Sequence, residues 1–189
     1  MRKKTKTRAL SLLLALVMVL GLLPGTARAA EEDVVLISSA SELEDFRDRV
    51  NAGERTLCAR LTADIELSDL WAPFHPSSDY VTDAYAGTFD GDGHTISGLN
   101  IQDNSANGVG LFGTVNGATI KNLSVNGSVS ASGSSFVGGI VGKTGGAVMI
   151  ENCSFSGSVT SDKTGSAAGA GGIVGRVNAG TVTITGCAN

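Results

Sequence analysis

One phrase occurs three times in this chain: Gly110-Leu111-Phe112-Gly113, Gly139-Ile140-Val141-Gly142 and Gly172-Ile173-Val174-Gly175. Each copy leads into a polar turn and then an alternating apolar strand. A unit of a few tens of residues cannot bury its apolar face alone, so self-similarity at this spacing predicts units that stack on one another as a solenoid.

The strands between the boxes predict how the units stack. Ile96, Leu99 and Ile101 form a first inward column; Ile120, Leu123 and Val125 repeat it 24 residues on, and Ile150, Cys153 and Phe155 a further 30 on. Ile184 and Cys187 follow after another 34. The spacing inside each strand stays the same while the loops around 132–136 and 161–170 lengthen, and insertions confined to one corner are what a solenoid tolerates. Gly113, Gly142, Gly175, Gly127 and Gly157 mark expected corners, where the backbone needs positive φ or a close approach to its neighbour. Asn122 and Asn152 fall in register and predict an amide ladder at a bend, which Gly186 interrupts in the last rung. The fold class expected is all-β, a right-handed parallel β-helix over 88–189 with a short N-terminal capping α-helix. Because the last rung, at Cys187-Ala188-Asn189, brings no cap, the C-terminal edge is expected to continue into further repeats or modules.

The segment 30–87 reads as the cap, first strand and loop. Ser41 as N-cap with Glu44 three residues on makes a capping box; Leu43, Phe46 and Val50 share one face, and Gly53 stops the helix. Glu42, Glu44, Asp45 and Asp48 point outward, so this helix is expected to lie across the open end of an apolar core. Leu57, Ala59, Leu61, Ala63, Ile65 and Leu67 alternate with mostly polar neighbours, the period of a half-buried strand. The stretch 69–86 has neither period and reads as a long loop holding Trp71, Tyr80 and Tyr85.

Residues 1–29 read as a secretory signal peptide. Arg2, Lys3, Lys4, Lys6 and Arg8 precede an apolar run from Ala9 to Leu23, then Pro24-Gly25 and a small-x-small signal at Ala27-Arg28-Ala29, with cleavage after Ala29. An uncleaved anchor is the alternative. Cleavage leaves eight basic residues against eighteen acidic ones, a formal charge of −10. That balance excludes a nucleic-acid partner, because the Lys/Arg patch that neutralises phosphates is missing. Three cysteines, Cys58, Cys153 and Cys187, are an odd number for a disulfide framework. Cys153 and Cys187 occupy equivalent places on adjacent rungs, about 4.8 Å apart, where a disulfide is possible but inward-facing thiols acting as small hydrophobes are the preferred reading.

Candidate chemistry concentrates in Asp90-Gly91-Asp92-Gly93-His94. Two carboxylates two residues apart point to calcium, but the further ligands of an EF-hand loop are absent. Asp-Gly is also an ordinary turn pair, so the segment is read as a corner. Acid/base work on glycosidic bonds by Asp90, Asp92 and His94 is the rival, and the later rungs add only Asp103, Glu151, Asp162, Lys121, Lys143, Lys163 and Arg176. His75 reads as a loop residue. Trp71, Tyr80 and Tyr85 either stack on sugar rings or pack over the first rung. Asn122-Leu123-Ser124, Asn126-Gly127-Ser128 and Asn152-Cys153-Ser154 match the glycosylation sequon. No catalytic residue, metal ligand or cofactor is assigned.

The run Leu61-Thr62-Ala63-Asp64-Ile65-Glu66-Leu67-Ser68, then Trp71-Ala72-Pro73-Phe74, Gly87-Thr88-Phe89-Asp90-Gly91-Asp92-Gly93-His94-Thr95-Ile96 and the three Gly-Leu/Ile-x-Gly boxes resemble the GLUG-motif surface proteins of Gram-positive gut bacteria. The resemblance implies a secreted or cell-surface, non-catalytic β-helix, adhesin-like or stalk-like, whose partner is a glycan or a host or cell-surface protein. A polysaccharide-cleaving β-helix and a pure spacer for downstream modules are the alternatives.

Overall fold

A computed structural model describes residues 34–74, 83–103, 107–133, 136–163 and 168–189. The signal peptide expected over 1–29, His75 and Tyr80 lie outside the described residues. All described residues belong to the unit from Asp33 to Asn189.

Along the chain the elements are β1 (Val34–Ile37), α1 (Ala40–Asn51), β2 (Cys58–Leu61), β3 (Ile65–Glu66), β4 (Thr88–Asp90) and β5 (Thr95–Asp103). Next come β6 (Gly108–Val109), β7 (Phe112–Asn116), β8 (Thr119–Lys121), β9 (Ser124–Ala131), β10 (Phe136–Gly138) and β11 (Val141–Gly145). The series ends with β12 (Val148–Glu151), β13 (Ser154–Ser161), β14 (Gly169–Gly171), β15 (Val174–Val177) and β16 (Val182–Thr185). These strands build four sheets, ordered β1-β2-β4-β8-β12-β16, β3-β5-β9-β13, β7-β11-β15 and β6-β10-β14. Each named strand pair is parallel. The chain therefore passes from sheet to sheet and returns one strand spacing further along, a β-solenoid of about four turns.

The apolar columns follow from that register and correct the first step of the sequence alignment. Phe89, Ile120, Ile150 and Ile184 stack in the first sheet, so Ile120 lies over Phe89, 31 residues earlier, and not over Ile96. Ile96 belongs instead to the column of Ile65, Val125 and Phe155 in the second sheet. The bend Asp90–Thr95 is two residues longer than Lys121–Ser124, and that insertion shifts the apparent repeat. Leu99 pairs with Gly127 and not with Leu123, which lies in the bend before β9; the β5 register slips by one residue between Ile96 and Leu99, where Gly98 has φ +72°. Strands β2 and β3 pair with β4 and β5, so the alternating run Leu57–Leu67 is two strands joined by a corner at Thr62–Asp64.

The Gly-Leu/Ile-x-Gly boxes form the sharp reversal from the fourth sheet into the third. Leu111, Phe112, Ile140 and Val141 are fully buried, and the two sheets meet so closely that a Cβ on Gly142 would overlap the Val109 backbone nitrogen. Close approach is the requirement there. Gly157, at φ +150°, lies within β13 and not at a corner, and a Cβ on it would overlap the Gly127 carbonyl in the strand below.

The helix begins two residues earlier than expected. Ser39, in extended conformation, is the N-cap: its Oγ accepts the Glu42 N–H at 3.3 Å, and Glu42 Oε2 reaches back to the Ser38 N–H at 2.7 Å. The working Ser-x-x-Glu box is thus Ser39 to Glu42. Leu43, Phe46 and Val50 are buried as predicted, and Gly53 follows the C-cap Ala52 with φ +117°. Phe46 closes the N-terminal end of the core by packing on Phe74, Tyr85 and Phe89 at ring separations of 5.7, 6.3 and 6.0 Å. Phe112 stacks beneath on Phe74 at 4.7 Å.

Candidate functional site

The acidic bend is built by the β4–β5 connection. The Asp90 carboxylate is nearly buried and accepts the Asp92 N–H at 2.9 Å and the Asn122 amide at 3.0 Å, while its other oxygen pairs with Lys121 Nζ at 3.2 Å. Burial pushes its pKa up, but the Asp92 N–H, the Asn122 amide and Lys121 outweigh that and hold it below the usual carboxylate value. The turn is closed by His94 N–H to the Gly91 carbonyl at 2.8 Å and Gly93 N–H to the Asn122 carbonyl at 2.9 Å. Asp92 takes the left-handed conformation at φ +49°, which Asp tolerates better than most residues.

His94 turns away from Asp90 and Asp92. Its Nδ1 lies 3.2 Å from Asp64 Oδ1, which also accepts the Thr95 N–H at 2.9 Å. That N–H and the imidazole hold the Asp64 carboxyl below its ordinary range. Asp90 and His94 therefore have different partners on different rungs, and among the described residues no group of three metal-capable side chains gathers.

The predicted amide ladder is present. Asn152 Nδ2 donates to Asn122 Oδ1 at 3.3 Å, and Asn122 passes its own donor to Asp90. Asn122 and Asn152 sit at φ +52° and +50°, with Gly186 at φ +65° in the last rung. Beside the ladder runs a column that the sequence reading missed: Arg60, Asp90, Lys121 and Glu151 are in register, alternating in sign from rung to rung. The signal was in the sequence, since each charge follows the core residue of its strand: Ala59, Phe89, Ile120 and Ile150. The alternation depends on the register that sets Phe89 under Ile120 and Asp90 under Lys121.

The remaining charges of the rungs do not converge. Asp162 Oδ1 accepts the Gly133 N–H at 2.8 Å, Lys163 Nζ donates to the Gly133 carbonyl at 3.4 Å, and Arg176 lies over the Phe136 ring at 4.5 Å. Lys143 is only 4% exposed, in register between Thr114 and Arg176. Trp71 and Tyr85 are 4% and 0% exposed and belong to the core, which removes both from sugar stacking. Cys153 and Cys187 are thiols: Cys153 Sγ donates to the Glu151 carbonyl at 3.2 Å, and Cys187 Sγ accepts the Cys153 N–H at 3.4 Å. Burial pushes the Cys153 thiol up to about 12, so it stays protonated and unreactive.

Outside the core, β5, β9 and β13 present uncharged rows. Asn100, Ser128 and Ser158 are in register, as are Gln102, Ser130 and Thr160, with Asn126 beside Ser156. Adjacent members of a row are about 4.8 Å apart. The hydroxyls of Ser124 and Ser154 are 3.0 Å apart and already bonded to each other. Among the described residues no helix is long and apolar enough to cross a membrane.

No protein-family model matches the chain. A curated relative, Halomucin of Haloquadratum walsbyi, is 33% identical over 161 residues, which cover 82% of this chain and 2% of that protein. The chain thus spans about 2% of the length of the curated relative it matches. Among solved structures, a proposed immunoglobulin A1 protease from Bacteroides ovatus is similar over 81% of this chain and 74% of its own at 20% identity. Its TM-score is 0.38, a likeness too slight to carry an argument about function.

Proposed function

We propose that this chain is a secreted, surface-exposed β-solenoid module of the GLUG-repeat type from a Gram-positive bacterium. In this reading it is non-catalytic and adhesive, and it offers its outer strand face to a glycan or to a host or cell-surface protein. One observation carries the reading: the Asp90 carboxylate and the His94 imidazole, which suggested chemistry, are engaged in holding bends, whereas β5, β9 and β13 offer in-register rows of Asn, Gln, Ser and Thr. Hydroxyls and amides both donate and accept, as sugar hydroxyls require. Similarity to a protein named as a mucin supports a non-enzymatic surface role.

The test is a polysaccharide and glycoprotein panel with the full chain. Saturable binding without product is the expected result. Release of reducing sugar or unsaturated product would overturn the non-catalytic reading, and binding to no glycan or protein of the panel would reduce the module to a spacer.

A further inference from the structure

The column Arg60, Asp90, Lys121 and Glu151 takes no part in the uncharged face of β5, β9 and β13. It lies on the outside of the first sheet, each member following the inward Ala59, Phe89, Ile120 or Ile150, and it runs in parallel register from β2 through β4 and β8 to β12. Successive members are about 4.8 Å apart. Only the middle of the column is paired within the chain, where Lys121 Nζ meets Asp90 Oδ2 at 3.2 Å. Among the described residues the side chains of Arg60 and Glu151, one at each end, form no ion pair. Arg60 is exposed and Glu151 half-buried.

From β2 to β12 the signs run plus, minus, plus, minus, and such a column is the complement of its own reverse. Suppose a second copy packs face to face about a two-fold axis that runs along the strands. The rungs then reverse, so Arg60 meets Glu151 of the second copy and Asp90 meets its Lys121, each contact occurring twice. A parallel copy in the same register sets like charges against each other. Slipped by one rung, it leaves Arg60 of one copy and Glu151 of the other without a partner. Only the antiparallel arrangement pairs all four. The neighbouring outward row, Cys58, Thr88, Thr119 and Met149, agrees with the reversal: Met149, 41% exposed, comes over Cys58, and Thr88 over Thr119.

We propose that the outer face of the first sheet is a self-association surface on which a second copy of this chain docks antiparallel. The strands that carry it, β2, β4, β8 and β12, each have a neighbour on both edges, so neither end of the solenoid enters the contact. It leaves β5, β9 and β13 uncovered and stands or falls separately from glycan binding. Exposed ion pairs contribute little each, so the dimer is weak and forms at high protein concentration. The mature charge of −10 repels copies at long range, and about 0.15 M salt screens that repulsion beyond about 8 Å while pairs in contact persist.

Sedimentation equilibrium of the secreted chain, at up to about 1 mM and about 0.15 M salt, should show a monomer–dimer equilibrium. Arg60→Glu and Glu151→Arg should each weaken it at least about fivefold, with the strand signal in circular dichroism unchanged. An equimolar mixture of the two variants should associate to within about threefold of the parent chain, because each new charge then meets its opposite. Orientation is read with Arg60→Lys and a zero-length carbodiimide, which joins an amine to a carboxylate in contact. Within one chain positions 60 and 151 are three rungs, about 14 Å, apart, so an amide between them forms only across two copies. Four results would each overturn the proposal: a chain that stays monomeric, Arg60→Glu associating as tightly as the parent, a mixture no tighter than either variant alone, or a dimer without the 60–151 amide.

Discussion

Asp90 sits in a bend where the backbone of Asp92, the amide of Asn122 and the ammonium of Lys121 all converge on its carboxylate. A carboxylate so surrounded is a fastener, and its protonation state is a matter of stability. Its folded pKa lies below the unfolded value of about 3.9. The stabilisation it supplies is therefore fully present above that unfolded value and is lost as pH falls through the folded one. Asp90→Asn should lower stability at neutral pH and flatten the acid limb below about pH 4. Urea midpoints between pH 7 and pH 2 measure this, and an acid limb as steep as that of the parent chain would refute the assignment. Asp90 was legible in the sequence as a turn residue, because Asp-Gly pairs favour turns. Lys121 and Asn122 as its partners were not, since both lie a full rung away in sequence.

At the scale of elements, two Ser-x-x-Glu boxes overlap at the start of α1, Ser39 to Glu42 and Ser41 to Glu44, and local sequence does not distinguish them. Packing does: Leu43, Phe46 and Val50 must face the core, and β1 delivers the chain to Ser39 in extended conformation. Ser39→Ala should cost about 1 kcal/mol, while Ser41→Ala, exposed within the first turn, should change stability by under about 0.5 kcal/mol. Equal losses in chemical denaturation would mean that the cap is shared. The strands tell a similar story. The inward residues of β8, β9, β12 and β13 were read correctly because the two bends Lys121–Ser124 and Glu151–Ser154 are of equal length. The Asp90–Thr95 bend is longer by two residues, and an apolar pattern alone does not report the length of the bend between strands.

For the solenoid as a whole, stability comes from columns and not from any single rung. Ile150 is fully buried between Ile120 below and Ile184 above, whereas Ile184 is 47% exposed. Ile150→Asp places an unpaired charge inside the shared core, where the loss should be about 3 kcal/mol or more, and the chain should unfold or aggregate. Ile184→Asp should cost much less, about 1 kcal/mol, because its side chain still reaches water. Thermal melts of the two variants measure the difference. Equal melting temperatures would mean that the column does not continue through the molecule. The N-terminal side of the columns is closed by α1 and its aromatic cluster.

Sequence alone determined that this chain stacks. Thrice-repeated Gly-Leu/Ile-x-Gly boxes and period-two apolar strands leave no other way to bury those side chains, and in-register asparagines carried the ladder with them. Only the tertiary structure decided which strand lies on which, because register depends on the length of every intervening bend and one longer bend displaced the first column. It likewise decided that Trp71 and Tyr85 are core, that Asp90 and His94 have separate partners, and that charges alternate from Arg60 to Glu151. Each of these is a contact between residues on different rungs or across a long loop, and periodicity within one strand contains no information about such pairs.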